Sequence, residues 1–163
     1  MSPALRHRNL AQLLLQAREG VMSEFRPVLN AHGLTEQQWR VVRALLQNGP
    51  LEPRQLCGLC QIVSPSLTGV LARMEEMNLV LREKMDGDQR RVRVSLTARS
   101  RRLAARMAPL VEARYEALER SIGPELMQQV YATLDRLLSS LAERPAAEPE
   151  PAPRRPRASR PAR

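Results

Sequence analysis

Aromatic side chains are the scarcest class in this sequence, with one Trp, two Tyr and one Phe among 163 residues. So few rings cannot build the stacking platforms that hold single strands or unpaired RNA bases, which leaves duplex DNA as the favoured nucleic acid. Histidine and cysteine are scarce too, with two of each. His7 and His32 stand far from each other and from Cys57 and Cys60, so no tetrahedral zinc set can be assembled and no metal is expected. Cys57-Gly58-Leu59-Cys60 also lacks the preceding strand of a βαβ redox unit. It reads as two small apolar side chains in a packed helix, with a thiol redox-sensing regulator as the alternative. A glycine-rich phosphate loop, a serine nucleophile elbow and a paired-carboxylate arrangement are all missing, which argues against an enzyme and against a cofactor. There is neither a secretory leader nor an apolar run long enough to cross a bilayer, so a soluble cytoplasmic protein with no membrane partner is expected.

What the chain has in excess is positive charge, a net +9, and its location is informative. Residues 82–106 carry nine basic and three acidic side chains, and residues 143–163 carry six Arg and three Glu. The remainder is neutral in sum. A basic stripe of this kind is a phosphate-binding footprint. The tail beyond residue 142 is Pro, Ala, Arg and Glu without an apolar period, so it reads as disordered, and its Arg content also fits a general Arg, Ala and Pro richness. The length suits one domain over residues 1–142.

Residues Ser64 to Thr97 form the unit on which the stripe is centred. Ser64 offers a capping hydroxyl and Pro65 a ring already set at helical φ. Leu67, Val70, Leu71 and Met74 then recur on one helical face, while Ser66, Gly69, Ala72 and Arg73 fall on the other. A helix that lies in the major groove needs such a small, hydrogen-bonding face. Asn78 tolerates the left-handed conformation that ends helices. The period then becomes alternating, with Val80, Arg82 and Lys84 before the Asp86-Gly87 turn signal and Val92, Val94 and Leu96 after it. Paired Arg90 and Arg91 make this hairpin a charged wing. The predicted fold is mainly α with a small β-wing, a winged helix-turn-helix over about residues 35–97.

The flanking helices supply the frame. About Ala4 to Ala31 carries Leu10, Leu14, Ala17, Val21, Phe25 and Leu29 at helical spacing, with Pro27 predicting a kink or an early end. Thr35 and Gln38 have capping-box spacing ahead of Trp39, Val42, Leu45 and Leu46. A short helix over about Pro53 to Gln61 should turn Leu56 and Leu59 inward. Thr97 caps a long helix that Gly123-Pro124 ends, and the last helix carries Leu126, Val130, Leu134, Leu137, Leu138 and Leu141. Terminal helices over about 4–31 and 98–142 this apolar, beside so small a domain, predict an intertwined homodimer.

Asp88-Gln89-Arg90, five further residues and Leu96-Thr97 match the pattern Asp-x-Arg-x5-Leu-Thr, and through it the chain resembles the MarR (multiple antibiotic resistance regulator) family over about residues 8 to 142. Asn78 stands where many members carry Gly. Arg8-Asn9-Leu10, Leu13 to Glu19 and Leu29 to Arg40 resemble the branch that governs aromatic-acid degradation operons. The resemblance implies a repressor that binds a pseudo-palindromic double-stranded DNA operator, with half-sites about one helical turn apart as two-fold symmetry demands. It does not place the family's sensing Cys at Cys57 or Cys60. The contrasting reading is a nucleoid-type basic protein that binds nucleic acid without sequence choice.

Ser64, Ser66, Thr68 and Arg73 are the expected contacts from the recognition helix. Arg90 is expected in the minor groove, oriented by Asp88, with Arg91 beside it. The resemblance further implies a small phenolic or aromatic carboxylic acid as effector. Its physical counterpart is Arg18, among Leu14, Leu15, Ala17, Val21 and Met22, where a buried guanidinium would need an anion. That anion is either the effector or a carboxylate of the protein such as Glu19, Glu24 or Glu36. Trp39 or Phe25 would line the ring, and Arg40 and His32 are further candidates for the polar end.

Overall fold

A computed structural model describes residues 6–85 and 88–143, with the side chains of 85 and 88–90 excepted. Six helices and two strands follow the chain as α1 (Leu10–Ala31), α2 (Glu36–Asn48), α3 (Pro53–Cys60), α4 (Ser64–Glu76), β1 (Val80–Met85), β2 (Asp88–Leu96), α5 (Ala98–Ile122) and α6 (Pro124–Ala142). The chain divides into two compact units, residues 1–121 and 122–163. The expected disorder of the basic tail concerns residues that, from 144 onward, lie outside the described ones, as does the Asp86-Gly87 turn.

Local chemistry sets most boundaries. Asn9 Oδ1 accepts the Gln12 amide at 2.9 Å, so α1 starts at Leu10 rather than near Ala4. The helix also runs on through Pro27 to Ala31 instead of ending early. At α2 the capping box is complete: Thr35 Oγ1 accepts from the Gln38 amide at 3.2 Å and Gln38 Oε1 from the Thr35 amide at 2.9 Å. Asn78 ends α4 at φ +53°, as Asn allows, and the Leu79 amide returns to the Met74 carbonyl at 2.8 Å.

Two expectations are corrected here. Ser64 is inside α4 and not its cap, because the Val63 carbonyl already accepts the Leu67 amide at 3.0 Å and Val63 becomes the N-cap. Leu59 points outward, 56% exposed, since α3 is short and Leu56 and Cys60 fill its single inward face.

The wing pairs as its alternation requires. Val80 faces Leu96, Arg82 faces Val94 and Lys84 faces Val92, with a register shift between Lys84 and Met85. Val80, Val94 and Leu96 are buried against the helices, and Arg82 and Lys84 carry the charge outward. A feature without any strand-like signal joins them: Leu51, between α2 and α3, exchanges both main-chain hydrogen bonds with Val94, at 3.0 and 2.8 Å. That bridge fastens the wing to the helix-turn-helix.

The core of the first unit is built on Leu29, Val41, Leu45, Leu56, Leu67, Leu71, Met74 and Met107, all essentially inaccessible. Leu10, Leu13, Leu14 and Leu15 on α1 are exposed, and so, in the second unit, are Leu126, Val130, Tyr131, Leu138 and Leu141 on α6. Among the described residues no single helix is long and apolar enough to cross a membrane.

Leu56 is the one apolar side chain of α3 with no exposure at all, so Leu56→Ala is expected to cost about 2–5 kcal/mol of unfolding free energy. Urea denaturation checks it, and a loss below about 1 kcal/mol would show that α3 is not held by its packing.

Candidate nucleic-acid interface and effector site

On α4 the buried line of Leu67, Leu71 and Met74 fixes which side faces away. Ser64, Thr68 and Ala72 lie along one exposed line at spacing four, and Ser66, Gly69 and Arg73 along the next. All are small except Arg73, so the backbone can come close to base edges. Arg73 has no ion pair among the described residues. The Thr68 hydroxyl donates to the Ser64 carbonyl at 3.1 Å, which leaves its methyl and its lone pairs to face outward.

Two ion pairs hold the wing by its base. Arg82 Nε reaches Glu75 at 2.9 Å on the last turn of α4, and Arg91 Nη2 pairs with Glu52, the N-cap of α3. Arg91 therefore enters the interface already tethered, a partner that its place in a basic run did not suggest. The expected pairing of Asp88 with Arg90 involves side chains outside the described residues.

The sequence-derived effector residues separate into two groups. Arg18 is 46% exposed in this chain rather than buried, because it sits on the flank of α1 and pairs there with Glu36 at the start of α2. Arg26 joins the same network, bonding Glu19 at 2.5 and 2.6 Å and lying 3.7 Å from Glu36. The Arg26 guanidinium holds the Glu19 carboxyl below the usual carboxylate range. Arg40 Nη1 donates to the Cys60 carbonyl at 2.6 Å at the end of α3, and His32 Nδ1 lies 2.8 Å from the Val28 carbonyl. Arg18, Arg40 and His32 each hold a partner in the protein, while Arg40 Nε is buried without one among the described residues.

Phe25 and Trp39 are both buried members of the core of the first unit. The Phe25 ring centroid is 4.6 Å from that of Tyr115 on α5, and Arg43 Nη1 lies 3.3 Å from the Tyr115 hydroxyl. Arg43 follows the buried Trp39 by one turn of α2 and is itself exposed. Arg43 and Tyr115 were missed from the sequence. Tyr115 fits the apolar period of α5, and nothing local links it to α2.

Residues 34–92, from the start of α2 through most of the wing, match the MarR family. The HTH-type transcriptional regulator FarR of Neisseria gonorrhoeae is 41% identical over 138 residues, which cover 85% of this chain and 92% of FarR. The homoprotocatechuate degradative operon repressor of Escherichia coli is 42% identical over 133 residues, 82% of this chain and 90% of the repressor. The crystal structure of NadR in complex with 4-hydroxyphenylacetate is similar at 41% identity and a TM-score of 0.72, over 88% of this chain and 99% of NadR.

The chain belongs to the MarR family. As a MarR-family protein it is a DNA-binding transcriptional regulator and not an enzyme, and α4 with the β1–β2 ribbon is its winged reading unit.

Its cysteines fit a packing role. Cys60 is 2% exposed, and burial raises its thiol pKa. Burial that disfavours the thiolate makes Cys60 a poorer nucleophile, which weighs against redox sensing there. No cluster of three or more His, Cys, Asp or Glu suited to a metal occurs among the described residues. Because the folded state keeps the Cys60 proton more firmly than the unfolded chain, the stability it contributes is fully present below the ordinary thiol range and is lost as pH rises through the folded value. In the native protein at neutral pH a thiol reagent is expected to label Cys57, which is partly exposed, well before Cys60. Peptide mapping after brief alkylation checks the order, and equal labelling would restore the redox reading.

Proposed function

We propose that this regulator is a cytoplasmic homodimer that represses an aromatic-acid catabolic operon and is released by a small phenolic carboxylate. One conjunction supports the reading. A small polar α4 face beside a basic wing occurs in the same unit as a pair of packed rings, Phe25 and Tyr115, with the exposed Arg43 guanidinium at their edge, on a chain 42% identical to a homoprotocatechuate operon repressor.

The dimer is supported by the apolar faces of α1 and α6 that a single chain leaves in water. Two copies related by a two-fold axis present two α4 helices to a pseudo-palindrome. Ser64, Ser66, Thr68 and Arg73 contact the major groove, Arg90 enters the minor groove under the orientation of Asp88, and Arg91 supports it from the wing. The six Arg of residues 144–163 add affinity for any sequence.

In this reading the effector's ring lies by Phe25 and Trp39, and its carboxylate takes Arg43, already in reach of the Tyr115 hydroxyl. Arg18 and His32 have partners within the chain, so a ligand would have to displace Glu36 or a main-chain carbonyl to use them, and Arg40 Nη1 holds the Cys60 carbonyl while its Nε is buried without a partner among the described residues. Arg43 is exposed and has no carboxylate partner among the described residues, so an incoming anion can reach it without displacing one.

The test uses DNA footprinted upstream of the protein's own gene and of neighbouring operons. Preference for that operator over random duplex is expected at roughly 10³-fold or more, and equal affinity would leave only a non-specific nucleic-acid-binding protein. Arg90→Ala is expected to weaken operator binding by about 1–3 kcal/mol with the dimer intact, and unchanged affinity at moderate salt would remove Arg90 from the interface. Truncation after residue 143 should lower the slope of log affinity against log salt without altering the preferred sequence. Titration of 4-hydroxyphenylacetate and 3,4-dihydroxyphenylacetate into the complex is expected to weaken operator affinity within the usual range of about 5–150-fold. Arg43→Ala should abolish that response and Arg18→Ala should preserve it. Release by neither compound rejects this class of inducer.

A further inference from the structure

Among the exposed large apolar side chains Val63 is the most exposed, at 71%, and its position makes that exposure informative. It is the N-cap of α4, with φ −65° and ψ 146°, and it supplies no capping hydrogen bond from its side chain. Valine is among the poorest N-cap residues, because it offers no acceptor for the first amides of the helix. Nor does it serve the core. The turn between α3 and α4 has two apolar residues, and the inward place is filled by Ile62 at 4% exposure. The Val63 side chain therefore contributes neither to the cap nor to packing, and Ser64, Pro65 and Ser66 beside it are also exposed. The exposed leucines of α1 and α6 belong to long helical stripes, whereas Val63 stands at the tip of the element that enters the groove.

Recognition helices bring their N-terminal residues to the base edges. In the major groove the apolar feature on a base edge is the 5-methyl group of thymine. We propose that Val63 reads a thymine methyl in each half-site, as a specificity-determining residue beside the polar contacts. The proposal rests on α4 being the helix that reads the operator.

The experiment measures binding of the full-length protein to its footprinted operator by fluorescence anisotropy at one salt concentration. Each thymine of a half-site is replaced in turn by uracil, which keeps the base pair and removes only the methyl. One thymine per half-site is expected to respond, with wild-type affinity falling about threefold to tenfold, the scale of one buried methyl group. Val63→Ala should bind the normal operator less tightly and be indifferent to uracil at that same position. Thermal unfolding of Val63→Ala should be unchanged, since the side chain is outside the core. The wild-type scan also stands without the variant. Operator preference with no thymine responding would overturn the proposal and leave the regulator reading intact. A uracil effect that persists undiminished in Val63→Ala would overturn it too, assigning the methyl to another side chain. Loss of all preference for operator over random duplex would overturn both.

Discussion

The winged unit closes on one side chain. The Thr97 hydroxyl donates to the Asn78 carbonyl at 2.9 Å and accepts the Ser100 amide at 3.1 Å, while the Thr97 amide reaches the Leu79 carbonyl at 3.2 Å. Three elements meet there: the end of α4, the return of β2 and the first turn of α5. The geometry requires Asn78 to take the left-handed conformation, which turns its carbonyl toward Thr97 and sends the chain into β1. With Thr97 7% exposed, an apolar replacement would leave the Ser100 amide without its cap in a buried place. The angle between the reading helix and the wing is thus set by hydrogen bonds away from DNA. This is what a reader of two grooves needs, because its two contacts must keep a constant separation.

Charge then refines an arrangement that packing has already made. Arg82–Glu75 and Arg91–Glu52 are largely exposed pairs, and such pairs contribute about 0–1 kcal/mol each. They matter less for stability than for orientation, since each joins a strand of the wing to a helix of the helix-turn-helix. The Leu51–Val94 bridge adds a main-chain tie between them. The basic stripe is therefore not a uniform cushion of positive charge. Some of its members are engaged on the protein, and Lys84 and Arg93 on the strands, with Arg99, Arg101, Arg102 and Arg106 on α5, carry the exposed remainder.

Much of this was legible because the relevant chemistry is local. A capping box spans three residues, a left-handed Asn is a property of one residue, and strand alternation places Val80, Val94 and Leu96 on one face without knowledge of the rest. The errors arise where two local solutions compete or where distant segments meet. Ser64 and Val63 can each begin α4, and the main-chain bond from Leu67 to Val63 decides. Leu59 fits a helical period as well as Cys60 does, but an eight-residue helix has room for one inward line. Arg18 looks buried by its neighbours in sequence, yet a carboxylate from α2 meets it at the surface. Arg43 and Tyr115 carry no mutual signal, since their contact depends on how α5 crosses α2.

That last contact also bears on how a ligand could reach DNA. Arg43 meets Tyr115 from α2, while Gln38, Val42 and Leu45 of the same helix are buried in the core, where Gln38 Nε2 lies 3.5 Å from Met77 Sδ at the end of α4. One helix thus touches both the residues proposed for the effector and α4. Close-packed interiors do not absorb a displacement within one residue, so a shift of α2 that accommodates a ring must be shared with α4. The change need not be large. A coupling of about 1–3 kcal/mol accounts for a 5–150-fold loss of operator affinity, and the same amount must then oppose ligand binding on DNA. A helix this well buried on its α4 side can supply that energy by losing part of a few apolar contacts, without any hinge or unfolding.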